Sequence, residues 1–238
     1  LSKISIETAD EQARKVFYTA LYHAMIAPAT FCDVNGDYRG ADGKIYADPG
    51  YTTYTIFSLW DTYRAAMPLY SIFQSERYVD FINTMLAIYK EQGKLPVWHL
   101  HGCETDCMVG NPGIPPVADA IVKEFQGFDY ELAMEAMKAS ALRPDRGQDV
   151  RMKYGYIPYD LFGESVAYDL EYAVADGAIA NAAKHLSELF ADPDYYFASP
   201  EKAEKYRKEY EYFNERSKSY KHLFDMDSGF IRGKDSKG

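Results

Sequence analysis

The sequence predicts an all-α fold, and three observations carry that prediction. Apolar residues recur at helical spacing in long segments, as in Val16, Phe17, Ala20, Leu21, Ala24 and Met25. Those segments are bounded by helix-start and helix-stop residues. No period of the solenoid kind repeats along the 238 residues. The helices pair through alternating short and long loops, which suits an α/α toroid, with a plain helical bundle as the simpler alternative. Seven helices are expected in this chain. A closed toroid of six pairs needs twelve, so the chain supplies about half of one.

The elements follow in order. Thr8 to Ala27 opens on Thr-Ala-Asp-Glu and is closed by Pro28. Residues 30–56 break the pattern. Asp33-Val-Asn-Gly-Asp, Gly40-Ala-Asp-Gly and Pro49-Gly are turn chemistry, and Tyr51-Thr-Thr-Tyr-Thr between turns reads as a strand. A long excursion holding a small hairpin is expected there. Helices are then expected over Phe57 to Ser71 and over Ser75 to Gln92, the second capped by Ser75 and closed by Gly93. Leu95 to Pro116 is too rich in Gly and Pro for one regular helix. Further helices are expected at Val117 to Gln126, Tyr130 to Leu142, Glu164 to Leu189 and Glu201 to Phe224. Arg143 to Gly163 reads as a charged loop and the last residues as a turn-rich tail. The whole of 1–238 is expected to be a single helical domain, part of the catalytic domain of a larger enzyme.

Composition narrows the function. Lys+Arg is 26 against 36 Asp+Glu, a formal charge of −10, which argues against nucleic acid as a partner. No stretch reaches the length of an apolar membrane span, and no secretory leader follows Leu1. The first residue is not Met, so the compartment is not read from it. Tyr, Phe and Trp number 22, 13 and 2, and a Tyr-led excess suits a wet cleft as well as a core. Cys32, Cys103 and Cys107 do not make a disulfide framework.

Three segments carry candidate chemistry. In Phe57-Ser-Leu-Trp-Asp-Thr-Tyr-Arg, Trp60 offers a stacking face beside the Asp61 carboxylate. Asp61 and Arg64 are three apart and can pair on one helix face. A core Trp with a surface ion pair is the plainer account. The second segment puts Trp98, His99, His101, Cys103, Glu104, Asp106 and Cys107 on a Gly- and Pro-rich stretch. Glu104 among Trp98, Cys103 and Met108 is a candidate general acid whose proton partial burial would retain. His99, His101, Cys103 and Cys107 are the competing reading, a cramped His/Cys metal site. In the third segment Ser165, Asp169, Tyr172 and Asp176 share a face of an amphipathic helix.

The motifs Ser58-Leu-Trp-Asp-Thr-Tyr-Arg, Leu95-Pro-Val-Trp, Gly102-Cys-Glu-Thr-Asp-Cys-Met-Val-Gly and Pro116-Val-Ala-Asp-Ala occur in that order. Ala136-Met-Lys-Ala-Ser, Gly155-Tyr-Ile-Pro, Glu164-Ser-Val with Leu170-Glu-Tyr-Ala, and Asp227-Ser-Gly-Phe-Ile-Arg follow. The ordered set resembles the calcium-dependent exo-α-mannosidases of glycoside hydrolase family 92. The resemblance implies the first half of an (α/α)6 catalytic toroid, with an N-terminal β-sandwich and the remaining toroid half as structural partners. It implies hydrolysis, with inversion, of terminal α-mannosyl linkages of mannose-containing glycans, α-1,2 linkages foremost. Glu104 falls on the family's general acid, and Trp60, Asp61, Arg64 and Trp98 on the sugar pocket. Calcium is implied as cofactor, with ligands and catalytic base mostly outside these residues, so that this chain alone is expected to be inactive. A periplasmic or secreted location is implied as well. Glu104 points to sugar–sugar linkages, where an alkoxide must be protonated as it leaves. Pro112 departs from the family pattern beside the acid segment, as do Tyr168-Asp169 and Gly177 further on. A non-catalytic carbohydrate-binding or helical interaction module is the alternative function.

Overall fold

The computed structural model describes residues 2–238. The fold is predominantly α-helical with small antiparallel sheets, and forms part of an α/α toroid. Helix α1 spans Glu11–Ala24. Asp10 caps it, accepting from the N–H groups of Gln12 and Ala13 at 2.8 and 3.0 Å. The excursion follows as four two-residue strands: β1 (Ala29–Thr30), β2 (Tyr38–Arg39), β3 (Ile45–Tyr46) and β4 (Tyr54–Thr55). β2 pairs with β3 as the expected hairpin, and β1 pairs with β4 to close the excursion at its base.

Residues 57–73 are not one helix. They divide into β5 (Phe57–Ser58), the single turn α2 (Leu59–Thr62) and α3 (Ala66–Phe73). Phe57 and Leu59 are both buried, which an extended strand leading into a tight turn allows. Helix α4 runs Ser75–Gln92. Ser75 is its first helical residue and makes no side-chain cap, while Gly93 ends it in the left-handed region at φ 82°. Glu91 near its end accepts from Tyr38 Oη at 2.8 Å and from the Ala41 N–H at 2.7 Å, tying the excursion to the helical body.

β6 (Trp98–Leu100) and β7 (Cys103–Glu104) form a hairpin in the Gly- and Pro-rich segment. Helix α5 then starts at Ile114 and ends at Val122, earlier than the apolar pattern suggests. Pro115 and Pro116 occupy its first turn, where a missing N–H costs nothing. α6 spans Tyr130–Leu142, capped by Asp129. The stretch expected as a charged loop contains α7 (Gln148–Tyr154), bounded by Gly147 and Gly155, both at positive φ. α8 (Ser165–Ala191) packs along α9 (Pro200–Arg216). A 3-10 turn at Ser219–Leu223 and the hairpin β8 (Phe224–Asp225) with β9 (Phe230–Ile231) complete the chain. The described residues therefore hold nine α-helices where seven were expected.

Part of the aromatic excess is core. Tyr78, Tyr172 and Tyr206 are among the largest fully buried side chains. Two of them satisfy their hydroxyls on backbone carbonyls: Tyr78 donates to Pro116 O at 3.0 Å and Tyr172 to Arg146 O at 2.8 Å. Among the described residues no helix is long and apolar enough to cross a membrane.

Candidate active site

A three-stranded antiparallel sheet, β5–β6–β7, brings the first two candidate segments together. Ser58 lies opposite Trp98, and His99 lies opposite both Phe57 and Glu104. Helix α2, which carries Trp60 and Asp61, springs directly from β5. The β6–β7 loop is two residues long, and His101 (φ 50°) and Gly102 (φ 80°) both take the left-handed conformation that such a turn requires. The His101 N–H donates to Thr55 Oγ1 at 2.7 Å, which fixes the hairpin tip on β4.

Glu104 sits where the two strands part. Its Oε1 accepts from the N–H groups of Trp98, Thr105 and Asp106, each at 2.9 Å, and its Oε2 from the Val97 N–H at 2.8 Å. The carboxylate thus takes the place of a ladder rung at the hairpin's open end. Asp106, at φ 49°, is held in turn by Lys94 and by Arg146, whose Nη1 is 3.1 Å from Asp106 Oδ1. Arg146 also lies over the Tyr168 ring at 5.5 Å.

Asp61 and Arg64 do not pair. Arg64 donates instead to Glu171 of α8, Nη2 to Oε1 at 2.5 Å, while Asp61 is exposed and forms no salt bridge among those of the described residues. The guanidinium Cζ lies 5.1 Å from the Trp60 ring centroid and 4.5 Å from that of Tyr63. Tyr63 Oη donates to Glu171 Oε2 at 2.9 Å, and burial together with the Glu171 charge pushes its hydroxyl up to about 12. The helix geometry explains the change of partner: α2 ends at Thr62, so Arg64 lies beyond the turn that would have brought it over Asp61.

Glu171, Tyr63, Lys94 and Arg146 were not among the residues singled out in the sequence. Glu171 left a signal, since it shares a face of α8 with Ala175, Ala178 and Ala182. An acid on a stripe of small residues needs a partner from another element. The third segment's polar residues are not on a solvent face. Ser165, Asp169, Tyr172 and Asp176 are all buried, the two carboxylates against Arg151. A hollow of about 770 Å³ beside Arg151 and Arg216 is lined by none of Trp60, Asp61, Arg64, Trp98 or Glu104.

The His/Cys set is not assembled. Neighbouring residues of a strand face opposite ways, so His99, paired with Glu104, and Cys103, paired with Leu100, lie on different faces of the hairpin. His99 is buried, whereas Cys103 and Cys107 are exposed free thiols. Among the described residues no group of three or more His, Cys, Asp and Glu side chains is placed to hold a metal ion.

His99 has a consequence for stability. It is 2% exposed and neither ring nitrogen has a hydrogen-bond partner. Burial holds its imidazole below the ordinary value of 6.5, the Glu104 charge opposing this only in part. Below that value the unfolded chain takes up a proton that the folded chain refuses, so stability falls as pH drops through and below 6.5. The urea midpoint is expected to be lower at about pH 5.5 than at about pH 7.5. The difference should shrink in His99→Phe, which keeps the bulk and removes the titration. An undiminished acid loss in that variant would assign the effect elsewhere.

The chain is a segment of a helical toroid in which one small sheet carries Trp98 and Glu104 and leads directly into the turn that carries Trp60. The sequence model of the Glycosyl hydrolase family 92 catalytic domain matches residues 1–238, and the chain belongs to that family. Its fold is similar to that of the family GH92 alpha-mannosidase BT3965 from Bacteroides thetaiotaomicron, with a TM-score of 0.87 and 41% identity over 98% of this chain and 29% of that one. BT3965 has also been solved in complex with mannoimidazole. The family GH92 inverting mannosidase BT2199 of the same bacterium is similar over 100% of this chain and 31% of its own, with a TM-score of 0.83 and 27% identity. A protein of Arthroderma benhamiae named as an uncharacterized secreted glycosidase is 27% identical over 94% of this chain and 24% of its own length. The chain therefore spans between about a quarter and a third of the length of these relatives.

Proposed function

We propose that this chain is part of the catalytic domain of an inverting exo-α-mannosidase that removes terminal α-mannosyl residues from glycans, α-1,2 linkages foremost. Glu104 is the general acid in this reading, and Trp60, Asp61, Arg64 and Trp98 belong to the pocket that receives the terminal sugar. The observation that carries it is the β5–β6–β7 sheet, which joins the Trp60–Arg64 segment to the Trp98–Glu104 segment across the 33 residues between them. The names of the similar bacterial mannosidases support the substrate class.

The two oxygens of Glu104 are unequally occupied. Oε1 is committed to three N–H donors, whereas Oε2 accepts one and keeps a lone pair. In this reading Oε2, the less occupied oxygen, is the one that serves the departing glycosidic oxygen. Inversion needs a second carboxylate about 6.5–9.5 Å away with a water between. We assign that base, the β-sandwich and the rest of the toroid to parts of the enzyme beyond these residues. The described residues do not by themselves fit a calcium site, and in this reading the ligands of calcium lie beyond them. Export to the periplasm or the medium belongs to the same reading, supported by the secreted fungal relative.

The test is the anomeric form of the first product. The full-length enzyme acting on an α-1,2-mannobioside, followed by proton NMR, should release β-mannose before mutarotation. Initial release of α-mannose would overturn inversion, and no release from any α-mannoside would overturn the activity.

A further inference from the structure

Arg64 is held in a way that neither its own segment nor a simple ion pair accounts for. Glu171, on a helix more than a hundred residues away, uses both oxygens: Oε1 accepts from Arg64 Nη2 at 2.5 Å and Oε2 from Tyr63 Oη at 2.9 Å. Arg64 Nη1 donates to Tyr63 Oη at 2.6 Å, which closes a ring of three hydrogen bonds. The ring fixes the guanidinium plane in two directions, and the faces of Trp60 and Tyr63 flank it. Glu171 has a side-chain exposure of 17%, Arg64 of 45%, so the acid is enclosed while the guanidinium still meets solvent. Three of the five N–H donors of Arg64 remain free of these bonds. The segment after Glu104 also rests on Glu171. Gly110 is at φ +81°, and a Cβ there would lie 2.5 Å from Glu171 Cβ. Glu171 thus holds the Trp60–Arg64 segment through its carboxylate, while its stem packs beside Gly110 in the stretch that follows Glu104.

We propose that Glu171 is a positioning residue for sugar binding, holding Arg64 against Trp60 so that the guanidinium offers fixed, charge-compensated donors to the hydroxyls of a neutral terminal sugar. The proposal rests on the mannosidase reading above. It separates Glu171 from proton delivery, because none of its contacts reaches the Glu104 carboxylate.

The experiment is a double-mutant cycle in the full-length enzyme with Glu171→Gln, Arg64→Met and the pair. It is read on a mannobioside and on an aryl mannoside with an acidic phenol. Glu171→Gln should raise KM about 5–30-fold on both substrates, the range of a coupling of contacting residues, with kcat changed less than about twofold. The double variant should be no worse than Arg64→Met alone. Multiplying effects, or an unchanged KM with only a lower melting temperature, would make Glu171 an ordinary brace between helices and overturn the proposal while leaving the activity standing. A parent enzyme that releases mannose from neither substrate overturns the functional reading, and this proposal with it.

Discussion

Glu104→Gln in the full-length enzyme is expected to slow cleavage of a sugar–sugar linkage by about 10²–10⁴-fold, the range that general acids supply. An aryl mannoside whose phenol leaves without a proton should be slowed far less. The two substrates must be compared because Glu104 does two things. Its carboxylate satisfies four backbone N–H groups at the mouth of the β6–β7 hairpin. A glutamine has one acceptor oxygen and one NH₂ group. With its oxygen in the Oε1 position it keeps three of the donors and turns its NH₂ on the Val97 N–H; turned the other way it abandons three. An orphaned donor of this kind costs about 1–3 kcal/mol, so the variant should melt earlier as well. A hairpin that merely loosened would slow both substrates alike. Only loss of the proton makes the defect depend on the leaving group. Sugar release at the parent rate with an ordinary leaving group would end the assignment.

How far the sequence discloses this arrangement depends on the range of the interaction. Local chemistry reads well. Gly93 closes a helix as expected, and Ser75–Gln92 and Tyr130–Leu142 begin and end where their periodicity says, although Ser75 is a helical residue and not the cap. The excursion at residues 30–56 is legible from its turns, and Glu104 stands out from the density of its segment. What fails is whatever a distant partner decides. The pattern from Phe57 to Ser71 has helical spacing, yet Phe57 and Ser58 are drawn into a strand because Trp98 and His99 pair with them. The same pairing makes the candidate site, so the misread helix and the unforeseen sheet are one event. Arg64 looks toward Asp61 in the sequence and toward Glu171 in the structure, and no local rule contains that choice. The third segment was legible as a face but not as a buried one, because the cation that neutralises it sits in a stretch that reads as loop.

That cation is Arg151, and its replacement by methionine should have the largest effect on stability. Asp169 and Asp176 are seven apart on α8, two turns along one face, with exposures of 0% and 1%. Arg151 Nε donates to Asp169 Oδ1 at 2.8 Å and Nη1 to Asp176 Oδ2 at 2.7 Å. Its Nη2 reaches Ser219 Oγ at 2.9 Å, joining α7 to α8 and to the turn after α9. Arg216 approaches Asp176 at 3.3 Å but does not reach Asp169. This network explains why a seven-residue helix between two left-handed glycines forms at all, since it is too short to hold by propensity and is instead pinned through one side chain. Breaking a buried ion pair from one side costs about 3–5 kcal/mol, because the partner charge stays behind in an apolar surrounding. At about 2–4 °C per kcal/mol for a chain of this size, Arg151→Met should lower the melting temperature by roughly 6–20 °C. The combination Arg151→Met, Asp169→Leu and Asp176→Leu removes the stranded charges along with the cation and should recover much of the loss. Calorimetry of the two variants distinguishes the terms. If the single variant melts within a degree or two of the parent, the carboxylates are compensated by Arg216 and Ser219 alone and Arg151 is not the pin of α7. If the triple variant is as unstable as the single one, packing of the long arginine stem rather than stranded charge is what α7 depends on.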